Sequence, residues 1–259
     1  MLFPHLFQHQ EIMHAVSTRS GGVSSGHYKS LNLSFHVGDT QDTIVKNYQV
    51  LSHALGFDLS SLVTCAQVHQ DAIALVDKSY FKKDCFLPHH AIPSTDALVT
   101  DVPGITLMTT HADCVPIFFY DSGTRTIAIA HAGWKGTSAH IARKTVEVLV
   151  NEYHCQPHHM LTAIGPSIGP CCYQISSEMA DEAINKFPGA QKCIRETTPG
   201  ALYFNLRQAN KEELKGAGIK DTHIYCSRLC TACNVNLFFS YRKEKKVTGR
   251  FGALIGIPG

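Results

Sequence analysis

Charge is scarce in this sequence. Only 17% of its 259 residues are Asp, Glu, Lys or Arg, and the formal net charge is +2. No basic run is long enough to track a phosphate backbone, so nucleic acid is not an expected partner. The short RKEKK stretch at 242–246 is interrupted by Glu244 and reads as a solvated turn. Long apolar runs are missing as well. None approaches the 18 residues of a spanning helix, so no membrane segment is expected. The opening MLFPHLFQHQ has no basic segment followed by an apolar one, which argues against a secretory leader and for a cytoplasmic setting. Repeats and low-complexity linkers are also absent, so residues 1–259 are expected to form one domain.

Apolar residues make up 44% of the chain, enough for a substantial core. Ten cysteines are too few for a disulfide framework and, with no leader, read as thiols or metal ligands. Sixteen histidines are more than usual, so a ligand among them must be chosen by context. Short β-branched or aromatic runs predict strands at 62–68, 72–76, 97–100, 105–110, 117–120, 126–130, 161–164, 223–226, 237–241 and 251–257. Helical periodicity is confined to 42–55, 138–152, 177–187 and 205–216. Gly56, Pro188 and Gly216 or Gly218 act as stops, and Ser176 or Ser177 and Asn205 as caps. Many strands without regular β-α-β alternation indicate an α+β fold rather than a doubly wound sheet.

The segment 111–137 (HADCVPIFFYDSGTRTIAIAHAGWKGT) is the most informative. Two apolar runs flank Asp121-Ser122-Gly123-Thr124, a two-residue turn signal. With Ser122 and Gly123 in the turn, the ladder sets Asp121 opposite Thr124 and Cys114 opposite His131. Cross-strand partners lie about 4.5–5.5 Å apart at Cβ, close enough to share an ion with Zn–S near 2.3 Å and Zn–N near 2.0–2.1 Å. Pro116 cannot donate to the ladder and is the point where that register is open to a shift. His69, ending the 62–68 run, is the third candidate ligand. Two histidines and one cysteine leave a tetrahedral zinc one free position, the pattern of a catalytic site. Asp113 reads as a proton shuttle, as a partner supporting the ligands, or as a turn-forming aspartate. His111 is a weaker candidate. Gly133-Trp134-Lys135-Gly136 lets the backbone approach a ligand before a helix N-terminus, with Lys135 adding positive charge and Trp134 able to stack on a base. Arg19, beside Gly21 and Gly22, is the best phosphate-binding candidate.

These blocks carry a resemblance: 17–39, Gln67-Val68-His69, 96–116, 131–137, 164–173 (IGPSIGPCCY) and 230–250 (CTACNVNLFFSYRKEKKVTGR). In that order they resemble the purine nucleoside phosphorylase/polyphenol oxidoreductase family, also called the laccase-domain or multicopper polyphenol oxidase family. The resemblance implies a metal on His69, Cys114 and His131, and packed mixed β-sheets covered by helices, layered α/β/β/α. It implies phosphorolysis of adenosine, inosine and methylthioadenosine, with purine nucleosides and phosphate as partners, deamination of adenosine, and weaker copper-dependent phenol oxidation. Zinc is the expected cofactor, with copper as the alternative. Lys135 stands where arginine is common and Gln70 where glycine is usual.

Two other enzyme readings stay open. Cys114 beside His131 also describes a metal-independent cysteine hydrolase or amidase, acting for example on a cell-wall precursor. Copper oxidation of the cupredoxin kind needs His-x-His pairs, and the chain has none. A last feature is Cys226, Cys230 and Cys233, with Cys171 and Cys172 far away in sequence. Only Cys230-x-x-Cys233 has a familiar zinc spacing, so these are read as buried or incidental thiols rather than a structural zinc or iron–sulfur site.

Overall fold

The computed structural model describes residues 11–81, 83–187 and 189–259. The expectations for the N-terminal decapeptide and for Pro188 as a helix stop lie outside those residues. The strands are β1 Met13–Val16, β2 Leu62–Thr64, β3 Ile73–Leu75, β4 Ala97–Thr100, β5 Thr106–His111, β6 Val115–Asp121 and β7 Thr126–Ala132. They continue with β8 Leu161–Ile164, β9 Gln174–Ile175, β10 Ile194–Glu196, β11 Leu202–Phe204, β12 Ile224–Cys226 and β13 Phe251–Gly256. The α-helices are α1 Gln41–Leu55, α2 Trp134–Ser138, α3 Ile141–Tyr153, α4 Ser177–Lys186 and α5 Leu206–Gly216.

Two mixed sheets face each other, one ordered β1-β13-β5-β2 and the other β12-β8-β6-β7-β4-β3, with β10-β11-β9 as a small third sheet. Alternation along the strands sorts side chains into three layers. Leu107, Ala253 and Ile255 of the first sheet meet Leu98, Phe118 and Ile129 of the second between the sheets. On the outer face of the second sheet, Val99, Ile117 and Phe119 pack under Ile141 and Val146 of α3 and Leu206 and Leu214 of α5. On the outer face of the first sheet, Leu62, Met108 and Leu254 receive Ile44, Tyr48 and Leu51 of α1. The result is the expected α/β/β/α arrangement. Strands buried on both faces, such as β6 and β7, are apolar through their middles, 115–119 and 127–130.

The hairpin departs from its expected register. Asp121 pairs with Thr126, and Pro116, not Cys114, pairs with His131. The turn spans four residues because the Asp121 carboxylate accepts from the amides of Gly123 (2.8 Å) and Thr124 (3.1 Å), while Arg125 takes a left-handed φ of 55°. The shift is two residues, so every side chain keeps its face.

Other boundaries differ for local reasons. The 62–68 strand stops at Thr64, since the amides of 68–70 turn toward Asp96. The 138–152 helix is two helices, α2 and α3, broken at His140 (φ 62°), whose Nδ1 pairs with Glu213 of α5 at 3.0 Å. The 237–241 strand is absent: the amides of Leu237 and Phe238 both donate to the Asn234 carbonyl and form a turn. β1 and β9–β11 are two to four residues long, too short to show a period.

Candidate metal centre and its cavity

The second sheet brings its polar strand ends to one place. Asp96 immediately precedes β4, Cys114 precedes β6, and His131 is the penultimate residue of β7. β4 and β7 are neighbours, so the Asp96 carbonyl accepts from the His131 amide at 2.8 Å. The fully buried Asp96 carboxylate then works in two directions. It accepts the amides of Val68 (3.1 Å), His69 (3.0 Å) and Gln70 (2.8 Å), shaping a turn in which His69 has φ 62°. Its Oδ1 also accepts His131 Nδ1–H at 2.8 Å, which directs Nε2 away from the carboxylate. Gln67 fixes the other side of the turn: its amide nitrogen donates to the Thr110 carbonyl (3.0 Å) and its oxygen accepts the Thr110 amide (2.8 Å), like a strand partner for β5.

One ligand atom each of His69, Cys114 and His131 lies within 4.8 Å of the other two. A tetrahedral zinc sets such atoms about 3.3–3.6 Å apart, so the donor set fits one ion with little movement. Continuing the observed register puts Gly133 beside Cys114, and the missing side chain is needed there. A Cβ on Gly133 would lie 2.8 Å from Cys114 Sγ and 3.4 Å from His69 Cδ2.

Burial pushes the Cys114 thiol up, but the charge and hydrogen bond of His131, helped by His69, outweigh it and bring the pKa down to about 6. Burial pushes His131 down, and the Cys114 thiolate and Asp96 raise it to about 9. Burial also raises Asp96, but hydrogen bonds from His131, Gln70 and Val68 hold it below its ordinary value. The metal-free pair is therefore thiolate and imidazolium.

The three residues open onto a cavity of about 640 Å³. Its walls include Trp134, Tyr173 and Tyr241, and its cations are Arg242, Lys246 and Arg250. Arg242 lies 5.1 Å over the Tyr173 ring and Arg250 lies 5.6 Å over Tyr241.

The family model for multi-copper polyphenol oxidoreductase laccase matches residues 13–258. The chain belongs to this family. Among relatives, it is 39% identical over 242 residues to the purine nucleoside phosphorylase YlmD of Geobacillus stearothermophilus, covering 93% of this chain and 88% of that one. It is 33% identical over 243 residues to adenosine deaminase RL5 from an unknown prokaryotic organism, covering 93% and 92%. The crystal structure of the Bacillus licheniformis hypothetical protein YfiH superposes with a TM-score of 0.94 at 33% identity, over 99% of this chain and 95% of that one.

In this laccase-family chain the other candidate residues are placed unevenly. Asp113 lines the cavity, but its buried carboxylate accepts from Thr231 Oγ1 (2.6 Å), Ser240 Oγ (2.7 Å) and the Arg242 amide (2.7 Å). At φ 92° it is a turn residue that ties three loop positions together. His111 is buried under the site. Burial and the neighbouring His131 charge hold its pKa well below the ordinary value, so it is neutral. Arg19 is not brought to the cavity: it donates to the carbonyls of Lys29 and Val235, pairs with Glu244 at 3.0 Å, and stacks on Phe239. Lys135 is exposed on α2 and does not line the cavity either.

Sequence reasoning missed Asp96 and the cations of the C-terminal segment. Asp96 is a lone acid at the head of an apolar strand, and the 242–246 charge run reads as solvent-facing. The available signal was their place in the resemblance, Asp96 at the head of the 96–116 block and the cations inside the 230–250 block. No helix among the described residues is long and apolar enough to cross a membrane.

Proposed function

We propose that this chain is a zinc-dependent purine nucleoside enzyme. It phosphorolyses adenosine, inosine and S-methyl-5′-thioadenosine to the free base and ribose 1-phosphate or its thio analogue, and it deaminates adenosine. The observation that carries the reading is the cavity itself, in which aromatic walls and three cations adjoin the His69, Cys114 and His131 donors. Its volume is in the range of small-molecule sites. The names of the relatives point the same way.

Zinc held by His69, Cys114 and His131 would supply Lewis-acid activation of water at neutral pH. The chain's own residues do the rest. Trp134, Tyr173 and Tyr241 offer faces for the purine. Arg242, Lys246 and Arg250, rather than Arg19 and Lys135, bind phosphate and bring its oxygen to C1′ of the ribose. The C1′–N9 bond breaks as the new C–O bond forms, and its electron pair leaves with the base. Deamination happens at C6, so the two reactions use the nucleoside in two orientations. Asp113 acts as a positioning residue for Ser240 and Arg242. Purified protein incubated with inosine is expected to release hypoxanthine only when phosphate is present. No phosphate-dependent release would overturn the phosphorylase reading, and failure to convert adenosine to inosine would overturn the deaminase one.

A second reading has one observation in its favour. Asp96, His131 and Cys114 form an acid–imidazole–thiolate chain of the kind that activates a nucleophile. This reading makes the protein a cysteine hydrolase or amidase, for which His69 is superfluous. Activity that survives complete metal removal and disappears on thiol alkylation would favour it.

A further inference from the structure

Among the described residues a second group of potential metal ligands lies outside the cavity: Cys171, Cys172, Cys230 and Cys233, with all four sulfurs within 4.8 Å of one another. Cys226, the nearest cysteine in sequence, is not part of it. We propose that these four thiols bind a structural zinc ion that staples the segment at 167–173 to the segment at 227–234.

The spacing favours one ion. A tetrahedral zinc with Zn–S bonds near 2.3 Å holds its sulfurs about 3.8 Å apart. Cys233 Sγ lies 3.5 Å from Cys171 Sγ and 3.4 Å from Cys172 Sγ. These separations are too long for a disulfide bond of about 2.05 Å, and all ten cysteines are free. An iron–sulfur cluster would spread four thiolates more widely, because sulfide and several irons lie between them. Four soft donors in a compact tetrahedral set select zinc.

Core packing does not account for the gathering. Cys171 and Cys233 are exposed, and only Cys230 is buried. The backbone is instead shaped to converge there. The turn from Gly169 points two consecutive sulfurs inward, its carbonyl accepting the amides of Cys172 (3.0 Å) and Tyr173 (2.9 Å). The turn at 230–234 is closed by the Asn234 amide on the Cys230 carbonyl (3.1 Å). Between them, the Gly169 amide donates to Cys230 Sγ at 3.2 Å, an arrangement that suits a thiolate. Gly169 has no room for a side chain: a Cβ would lie 2.9 Å from Arg207 Nη2 and 3.2 Å from both Cys171 Sγ and Cys230 Cβ. The guanidinium offsets part of the two negative charges of a zinc tetrathiolate, formed as the four thiols release their protons.

The staple sits directly behind the cavity. Ser167 bridges to Cys230, Ile168 donates its amide to the Asp113 carbonyl (2.9 Å), and Thr231 holds the Asp113 carboxylate. Ile168 and Tyr173 are part of the cavity wall.

Metal analysis of the purified full-length chain tests this. The wild type is expected to carry two zinc equivalents, Cys114→Ala one, and the double variant Cys172→Ser/Cys233→Ser one. Because the double variant could misfold, cobalt is also added to metal-stripped Cys114→Ala protein, which keeps all four thiols. The intense sulfur-to-cobalt charge-transfer absorption of a tetrathiolate is expected. A wild type with a single equivalent that vanishes in Cys114→Ala would overturn the proposal, as would a cobalt spectrum without that absorption. So would peptide mapping that finds a disulfide among these cysteines in protein purified without oxidant. Loss of zinc from the cavity site alone would count against the function proposed above and leave this site standing.

Discussion

Gly133 has no side chain because Cys114 and His69 take up that space. Replacing it with alanine inserts a methyl group 2.8 Å from Cys114 Sγ, and the thiol must move out of reach of the shared ion. Gly133→Ala is therefore expected to lose zinc from the cavity site while circular dichroism stays that of the wild type, with metal content as the measurement. Cys114 gives a second prediction. Its metal-free folded pKa is near 6, below the ordinary thiol value of 9. The thiolate is thus populated above pH 6 in the folded apo chain, and only near pH 9 when unfolded. Alkylation of Cys114, followed by peptide mass spectrometry, should rise through pH 6 in native apo protein and be suppressed by added zinc. A profile that rises only near pH 9 would contradict the thiolate–imidazolium pair. At this scale the gathering of His69, Cys114 and His131 was legible in sequence and its support was not. Cys114 and His131 flank a turn signal, whereas Asp96 owes its role to the pairing of β4 with β7, which no local spacing shows.

Among elements, the hairpin of β6 and β7 shows what a turn signal can and cannot fix. Counting the ladder out from the turn set Cys114 and His131 on one face, and that survived a two-residue error in register. The turn length did not follow from Ser122 and Gly123, because the Asp121 side chain reorganised the loop. The segment after β12 was the least legible. Its charges read as a solvated turn, and 241–246 is an exposed turn; what did not show is that Asp113 holds the Arg242 amide and that Arg242, Lys246 and Arg250 border the cavity. Arg242→Ala removes one of the three cations proposed to bind phosphate. It should raise the KM for phosphate about 10-fold or more, the worth of a charge-assisted hydrogen bond, and change nucleoside KM much less. Steady-state kinetics with phosphate varied would decide it.

For the whole molecule, layering separates stability from chemistry. The sheet holding His131 presents that side chain toward the space between the sheets, and Phe119 toward α3 and α5. Phe119 is fully buried, so Phe119→Ala should cost about 3–5 kcal/mol in denaturant unfolding. Zinc bound per folded chain should not change, because Phe119 does not line the cavity and points away from the face that carries the His131 side chain. The layered architecture was an expectation of the family resemblance; from the residues themselves, many short strands and few helices pointed only to an α+β fold. The small β9–β11 sheet was not legible, its strands being too short to carry a period.

The Asp96 carboxylate carries a kinetic consequence. It fastens the His69 turn and the His131 ring with four hydrogen bonds that need no ion. The ordering entropy of the site is thus spent when the chain folds, and an ion arriving later meets a finished seat. Loading there would be reversible exchange into folded protein, governed by which ions the surroundings offer. At the four-cysteine site the two loops are already bridged at Ser167 and Cys230, and the proposed ion would bind both of them, so its exchange would wait for those loops to part. One chain would then carry a metal that comes and goes and another that stays for the life of the fold.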